Sequence, residues 1–260
     1  EELLDAVGAP AERDGVEIET QDVLFGVRTV QLPRQHGLAG FARVGNLAEI
    51  RGDRSLEQLA NVATLPGIVG IYSRDTTRPD RYRAFSWRDY EQIRANREPF
   101  DAVMAYSMTL LGVSDGDSTR RSFSAIVSSG YFSTLDVRLA AGREFSADEE
   151  RPESDQRVVT VGYQFARKAG LAPQAMLGRT VRLNAREHTI VGVAPEGFSG
   201  TMALVAPEFW LPLGVYASVT DEMMRDGGSS KLSDAKTHGL MLVGRLRAGL
   251  DVDTARPMVA

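Results

Sequence analysis

The chain has 260 residues, 43% hydrophobic and 25% charged, a globular composition that excludes disordered and fibrous classes and is long enough to bury a real core. The net charge of −5 argues against a nucleic-acid partner, which normally requires a positive excess. The absence of cysteine removes disulfides, thiolate catalysis, zinc–cysteine sites and iron–sulfur clusters together, without fixing the compartment.

In chain order, residues 1–65 form an unassigned N-terminal segment. Within it Val16–Ile18 and Val23–Val30 alternate like short strands, His36–Asn46 is Gly-rich and ambiguous, and Ser55–Ala63 reads as a short helix ended by Pro66 and Gly67. Ile68–Tyr72 is a buried-strand pattern, and the charged stretch Arg74–Arg83 is a loop. Ser86 opens a helix, with Asp89 three residues on as an acidic capping box and Trp87, Tyr90 and Ile93 on one face; Arg97–Pro99 ends it. Asp101–Val113 and Arg121–Val127 are antiparallel strands around the turn Ser114–Ser118, whose Asp-Gly-Asp lacks the distal Glu of a calcium loop. Gly130–Leu135 is a helical turn facing Tyr131, Phe132 and Leu135 inward, and Val137–Phe145 is extended and broken by Gly142.

The acidic run Ser146–Asp155 has no apolar residue beyond Ala147 and reads as a solvated loop. Arg157–Val161 is a strand, and Tyr163–Ala169 and Pro173–Leu177 are short helices. Arg179–Leu183 and His188–Val193 form a hairpin around Asn184–Glu187. Phe209–Leu213 is a strand, Thr220–Thr237 a polar loop, His238–Leu246 a strand, and Asp251 opens a last helix. Gly200–Val219 is the most membrane-like window, but Pro207, Pro212 and Glu208 make it a poor spanning helix. Glu1–Ala9 lacks the basic start and apolar run of a signal peptide. Short helices among antiparallel strands make the fold class α+β.

The sequence holds no GxSxG elbow, P-loop or GxGxxG after a strand. The three histidines, His36, His188 and His238, are far apart and carry no metal-binding spacing, so each reads as a surface or structural residue. No catalytic, cofactor-binding or metal residue is assigned. Aromatic residues at Phe85, Trp87, Tyr90, Phe209 and Trp210 are candidates for a partner interface, with core packing as the competing reading.

Several ordered motifs carry a family resemblance over about residues 68 to 260. They are Phe85-Ser86-Trp87-Arg88-Asp89-Tyr90, Ala125–Phe132, Ala141-Gly142-Arg143-Glu144-Phe145, Leu177–Asn184 leading to Thr189–Phe198, Pro207–Leu213 and Gly244–Leu250. Together they resemble the MacB-like periplasmic core domain of FtsX/MacB-type ABC transporter permeases. The Arg-rich loops and Ala194–Phe198 are most similar to orphan permeases with duplicated core domains.

The resemblance implies an extracytoplasmic, non-catalytic domain. It would hold a porter-like subdomain at 66–142 and 214–260, with an inserted β-rich subdomain at 143–213. It also implies a cytoplasmic ABC ATPase reached through transmembrane helices, a permease dimer, a periplasmic partner protein, and coupling of ATP hydrolysis to export or release of a substrate. No cofactor and no nucleic acid are implied. The 220–237 loop is a candidate contact or gating element. The family's hairpin carries Asn-Gly where this chain has Asn184-Ala185, which predicts a longer loop, because Ala tolerates positive φ less well than Gly. Residues 1–65 match nothing in the family, and the last helix is cut near Ala260. Either the chain is part of a longer protein or its first segment supplies the missing piece. The competing readings are a free-standing ligand- or partner-binding module, which needs a concave apolar pocket, and a hydrolase with a site assembled from distant residues.

Overall fold

Phe100–Asp115 forms β4, and its odd and even residues enter two different cores. Val103, Ala105, Leu111 and Val113 pack on one side of the sheet, while Met104, Tyr106 and Met108 pack on the other. Side chains alternate across a strand, so a run apolar at both parities produces a sheet covered on both faces. The computed structural model describes residues 16–19, 67–74, 82–115, 118–201, 206–220 and 231–259. The expected strand Val23–Val30, the Gly-rich 36–46, the helix Ser55–Ala63, residues 75–81 of the charged loop, the tip at 116–117 and residues 221–230 lie outside them.

The other strands are β1 (Val16–Glu19), β2 (Ile68–Arg74), β3 (Tyr82–Arg83), β5 (Ser118–Val127), β6 (Ala141–Gly142), β7 (Val158–Val161), β8 (Thr180–Leu183), β9 (Arg186–Val193), β10 (Phe209–Pro212) and β11 (Met241–Leu246). They make one sheet in the order β1-β2-β11-β4-β5-β10-β7-β9-β6, with β3 on β2 and β8 bridging β9 to β4. β10 runs parallel to β5 and β7 parallel to β9; the other pairings are antiparallel. The N-terminal segment thus contributes β1, paired antiparallel to β2 through Val16↔Ser73 and Glu19↔Gly70.

Helix α1 (Trp87–Ala95) starts as its sequence dictates. The Ser86 hydroxyl accepts from the Asp89 amide at 3.2 Å, and the Asp89 carboxylate accepts from the Ser86 amide at 2.9 Å. Tyr90 is buried, with Trp87 and Ile93 packed beside it on the first core. On the opposite face, α2 (Tyr131–Thr134) brings in Tyr131 and Phe132, with Leu135 just after it. The short helices α4 (Tyr163–Lys168), α5 (Pro173–Met176), α6 (Tyr216–Val219) and α7 (Val252–Ala255, N-capped by Asp251) complete the cover.

Two expectations are corrected. The acidic run is not a solvated loop. Ser146 caps a helix, α3 (Ala147–Glu150), through a second capping box with Glu149, and Glu149 and Glu150 are buried because arginines from elsewhere meet them. The break expected at Gly142 is present: the two-residue β6 ends there at φ 85°, with Gly142 facing Gly192 of β9. The β8–β9 hairpin is no longer than two residues, with Asn184 at φ 47° and Ala185 at φ 61°. The turn is clamped to β4: the Asn184 amide donates to the Gly112 carbonyl at 2.7 Å, and the Asn184 side-chain oxygen accepts from the Gly112 amide at 2.8 Å. Ala185→Gly, which removes the cost of a Cβ at positive φ, is expected to raise stability by about 0.5–1 kcal/mol in urea unfolding. No change, or a loss, would mean the turn is not held in this conformation.

Candidate functional site

Phe85, Tyr90, Phe209 and Trp210 are at most 4% exposed. They are core residues and offer no ring to a partner, which corrects the interface expectation for these four. Phe209 meets Phe165 edge-on with centroids 5.1 Å apart, and Trp210 stacks on Phe198 at 5.5 Å. Trp87 alone is half-buried; it packs at 63° to the Tyr90 ring, and the rest of its surface faces outward. The five residues therefore do not converge on one site. The described end of the 220–237 loop is also packed, with Leu232 and Thr237 buried and Thr237 Oγ1 donating to the Lys231 carbonyl at 2.8 Å.

The polar groups that do converge are those the composition of 146–155 hid. Glu149 receives Arg143 at 2.7 and 2.9 Å, a two-pronged pairing. That guanidinium holds the Glu149 carboxyl below the ordinary range, against the opposing effect of burial. Glu150 pairs with Arg94 of α1 and accepts from the Ser129 amide at 2.6 Å. Arg94 also donates to the Tyr90 hydroxyl at 3.0 Å. Burial, with the Glu150 charge adding to it, pushes the Tyr90 phenol up to about 12, so it stays protonated. Spacing within the run could not reveal this, because Arg94 is 56 residues from Glu150.

A second cluster joins Glu208 to Arg120 at 2.6 and 2.8 Å and to the Ser122 hydroxyl at 2.7 Å. Burial would raise the Glu208 carboxyl, but Arg120 and Ser122 outweigh it and hold it low. A carboxylate tied down in this way is a poor general base, so the Ser122–Glu208 contact does not activate a nucleophile.

His188 is 1% exposed; its Nδ1 lies 3.1 Å from the Arg186 carbonyl, and its Nε2 has no partner. Burial disfavours the imidazolium and depresses the pKa below the ordinary 6.5, against the nearby Asp155 carboxylate and together with Arg157 and Arg186. The unfolded chain therefore binds the proton first. Stability from this group is complete above about pH 6.5 and is lost as pH falls from there toward the folded-state value. His188→Gln is expected to flatten the fall in Tm between about pH 7 and 5. An unchanged slope would place the acid sensitivity elsewhere.

Among the described residues no three His, Asp or Glu side chains gather to hold a metal ion, and no helix is long and apolar enough to cross a membrane. Among the described residues, a cavity of about 400 Å³ is an open cleft where Ser133, Asp136, Arg138, Arg143 and Glu144 meet Val137 and Leu139. It differs from the enclosed apolar pockets that bind small molecules.

The structure is similar to the periplasmic region of MacB from Actinobacillus actinomycetemcomitans, with a TM-score of 0.53 and 16% identity over 78% of this chain and 84% of that one. It also matches the extracellular domain of the noncanonic ABC-type transporter YknZ from Gram-positive bacteria, with a TM-score of 0.49 and 14% identity over 72% and 85% of the two chains. A comparison with curated proteins finds no match. The sequence itself matches the MacB-like periplasmic core domain over residues 40–259, which corrects the expectation that residues 1–65 match nothing in the family: 40–65 belong to the match. With the two-faced sheet and the ordered motifs from Phe85 to Leu250 on that span, the chain belongs to the MacB-like periplasmic core domain family, the extracytoplasmic domain of MacB-type ABC transporter permeases.

Proposed function

We propose that this domain is non-catalytic and passes ATP-driven movement of the permease's membrane helices on to export or release of a substrate. The ATPase would act from the cytoplasm through transmembrane helices, and a second permease copy and a periplasmic protein would complete the assembly. The division into a porter-like part (66–142 and 214–260) and an insert (143–213) belongs to the same proposal.

The observation that carries this reading is β4. Its first half pairs with β11 from Phe100 to Tyr106, its second half pairs with β5 from Tyr106 to Asp115, and Val113 touches β8. Sixteen extended residues span about 50 Å. A hydrogen-bonded strand of that length, buried on both faces over 103–109, transmits displacement instead of absorbing it.

The test uses the full-length permease with its ATPase in a bilayer. These 260 residues hold no cysteine, so once any cysteine elsewhere in the permease is replaced, exposed Glu98 and Ala169 can each be changed to Cys and spin-labelled. ATP is expected to change the distance from either label to a lipid-surface label, while the Glu98–Ala169 distance within one copy stays fixed. A domain that holds its position through the ATP cycle would overturn the mechanical role and favour a binding module.

A further inference from the structure

We propose that the four-residue helix α3 is a lock between the insert and the rest of the domain, with the Arg94–Glu150 pair as its clasp. The proposal rests on the two-part reading above and names the contact that makes the parts move together.

Three segments meet at α3. The first comes from outside the insert: Arg94 of α1 pairs with one Glu150 oxygen, and the Ser129 amide, at the end of β5, donates to the other at 2.6 Å. The second is the chain entering the insert, where Arg143 binds Glu149 at 2.7 Å and the Ser146 amide donates to Glu149 at 2.8 Å. The third is the chain leaving it. A Cβ at Gly214 would lie 2.1 Å from Ser154 Oγ and 2.4 Å from the Glu149 carbonyl, so this segment passes α3 with no room for a side chain. The Asp155 amide donates to the Gly214 carbonyl at 3.3 Å.

A helix of one turn has no stability of its own. α3 holds its place because its two carboxylates are neutralised from two directions, one by the insert's own Arg143 and one by Arg94. Glu150 is 4% exposed, while the Arg94 side chain is 35% exposed. Removing Arg94 leaves an uncompensated buried carboxylate, which is far more costly than removing both charges together. The clasp therefore has two states: closed, or open with Glu150 drawn out toward water and the insert freed from α1 and Ser129.

The test compares wild type, Arg94→Met, Glu150→Gln and the double variant in the full-length permease without ATP. Hydrogen exchange is read at the Ser129 amide and at 147–155. The width of the Glu98–Ala169 label distance is read in the same samples. Arg94→Met is expected to speed exchange at those amides about tenfold and to broaden the distance, with β4 amides unchanged. Glu150→Gln, which keeps the side chain's shape, is expected to do less. The double variant is expected to exchange more slowly than Arg94→Met, because no unpaired charge is left.

Unchanged exchange in Arg94→Met overturns the clasp, and so does a double variant no slower than the single. Equal acceleration along β4 in Arg94→Met also overturns it, by showing a purely global effect. Because these readouts need no ATP, the clasp can stand while the transmission role fails, and the reverse.

Discussion

Trp210→Ala is expected to cost roughly 3–5 kcal/mol, seen as a lowered urea midpoint with little change in slope. Trp210 is fully buried on β10, between Ala125 of β5 and Thr160 of β7. Its ring stacks on Phe198 at 29° and meets Phe132 at 62°, 5.9 Å away, and Phe132 in turn packs edge-on against Tyr131. β10 is the strand through which β5 reaches β7, so the cavity would open beneath the join between the two halves of the sheet. Trp210→Phe should recover much of the loss, because it keeps an aromatic partner for Phe132 and Phe198. The chain holds two tryptophans, so the alanine variant should also lose the buried contribution to fluorescence and leave that of Trp87. A cost below about 1 kcal/mol would be incompatible with full burial and would return Trp210 to the candidate partner face.

Gly142→Ala is expected to cost roughly 2–5 kcal/mol, from two additive sources. Gly142 sits at φ 85°, where a Cβ is strained. That Cβ would also lie 2.1 Å from the Val191 carbonyl and 2.8 Å from Leu177 Cδ2. Leu177 Cδ2 is a side-chain end that can shift, but the carbonyl cannot yield cheaply, because Val191 is part of β9 and accepts the Arg143 amide at 3.0 Å. Gly170→Ala provides the control: φ is 68°, but nothing lies within 4 Å of the added carbon, so only the backbone penalty of about 1 kcal/mol applies. Equal losses in the two variants would show that the close approach of β6 to β9 has no energetic weight.

Where the determinants of an element are near neighbours, the sequence was enough. Ser86 and Asp89 predict the start of α1 because both partners of the capping box lie within one turn. The alternation of Val181 and Leu183 with Thr180 and Arg182 predicts the first strand of the hairpin because period-two burial is a property of a single strand. The family motifs lie on these same elements, and the match over 40–259 follows them.

The tertiary structure decided what depends on distant partners. Nothing within Ser146–Asp155 marks Glu149 and Glu150 as buried. Glu150's cation comes from α1, and a carboxylate is buried only where such a partner is delivered to it. The two-residue turn at Asn184-Ala185 stands at positive φ because β4 binds Asn184 from both sides, a clamp absent from local propensity. Phe85, Tyr90, Phe209 and Trp210 read equally well as interface or core. An aromatic side chain records that it should leave water, and only the neighbouring strands and helices determine which surface removes it.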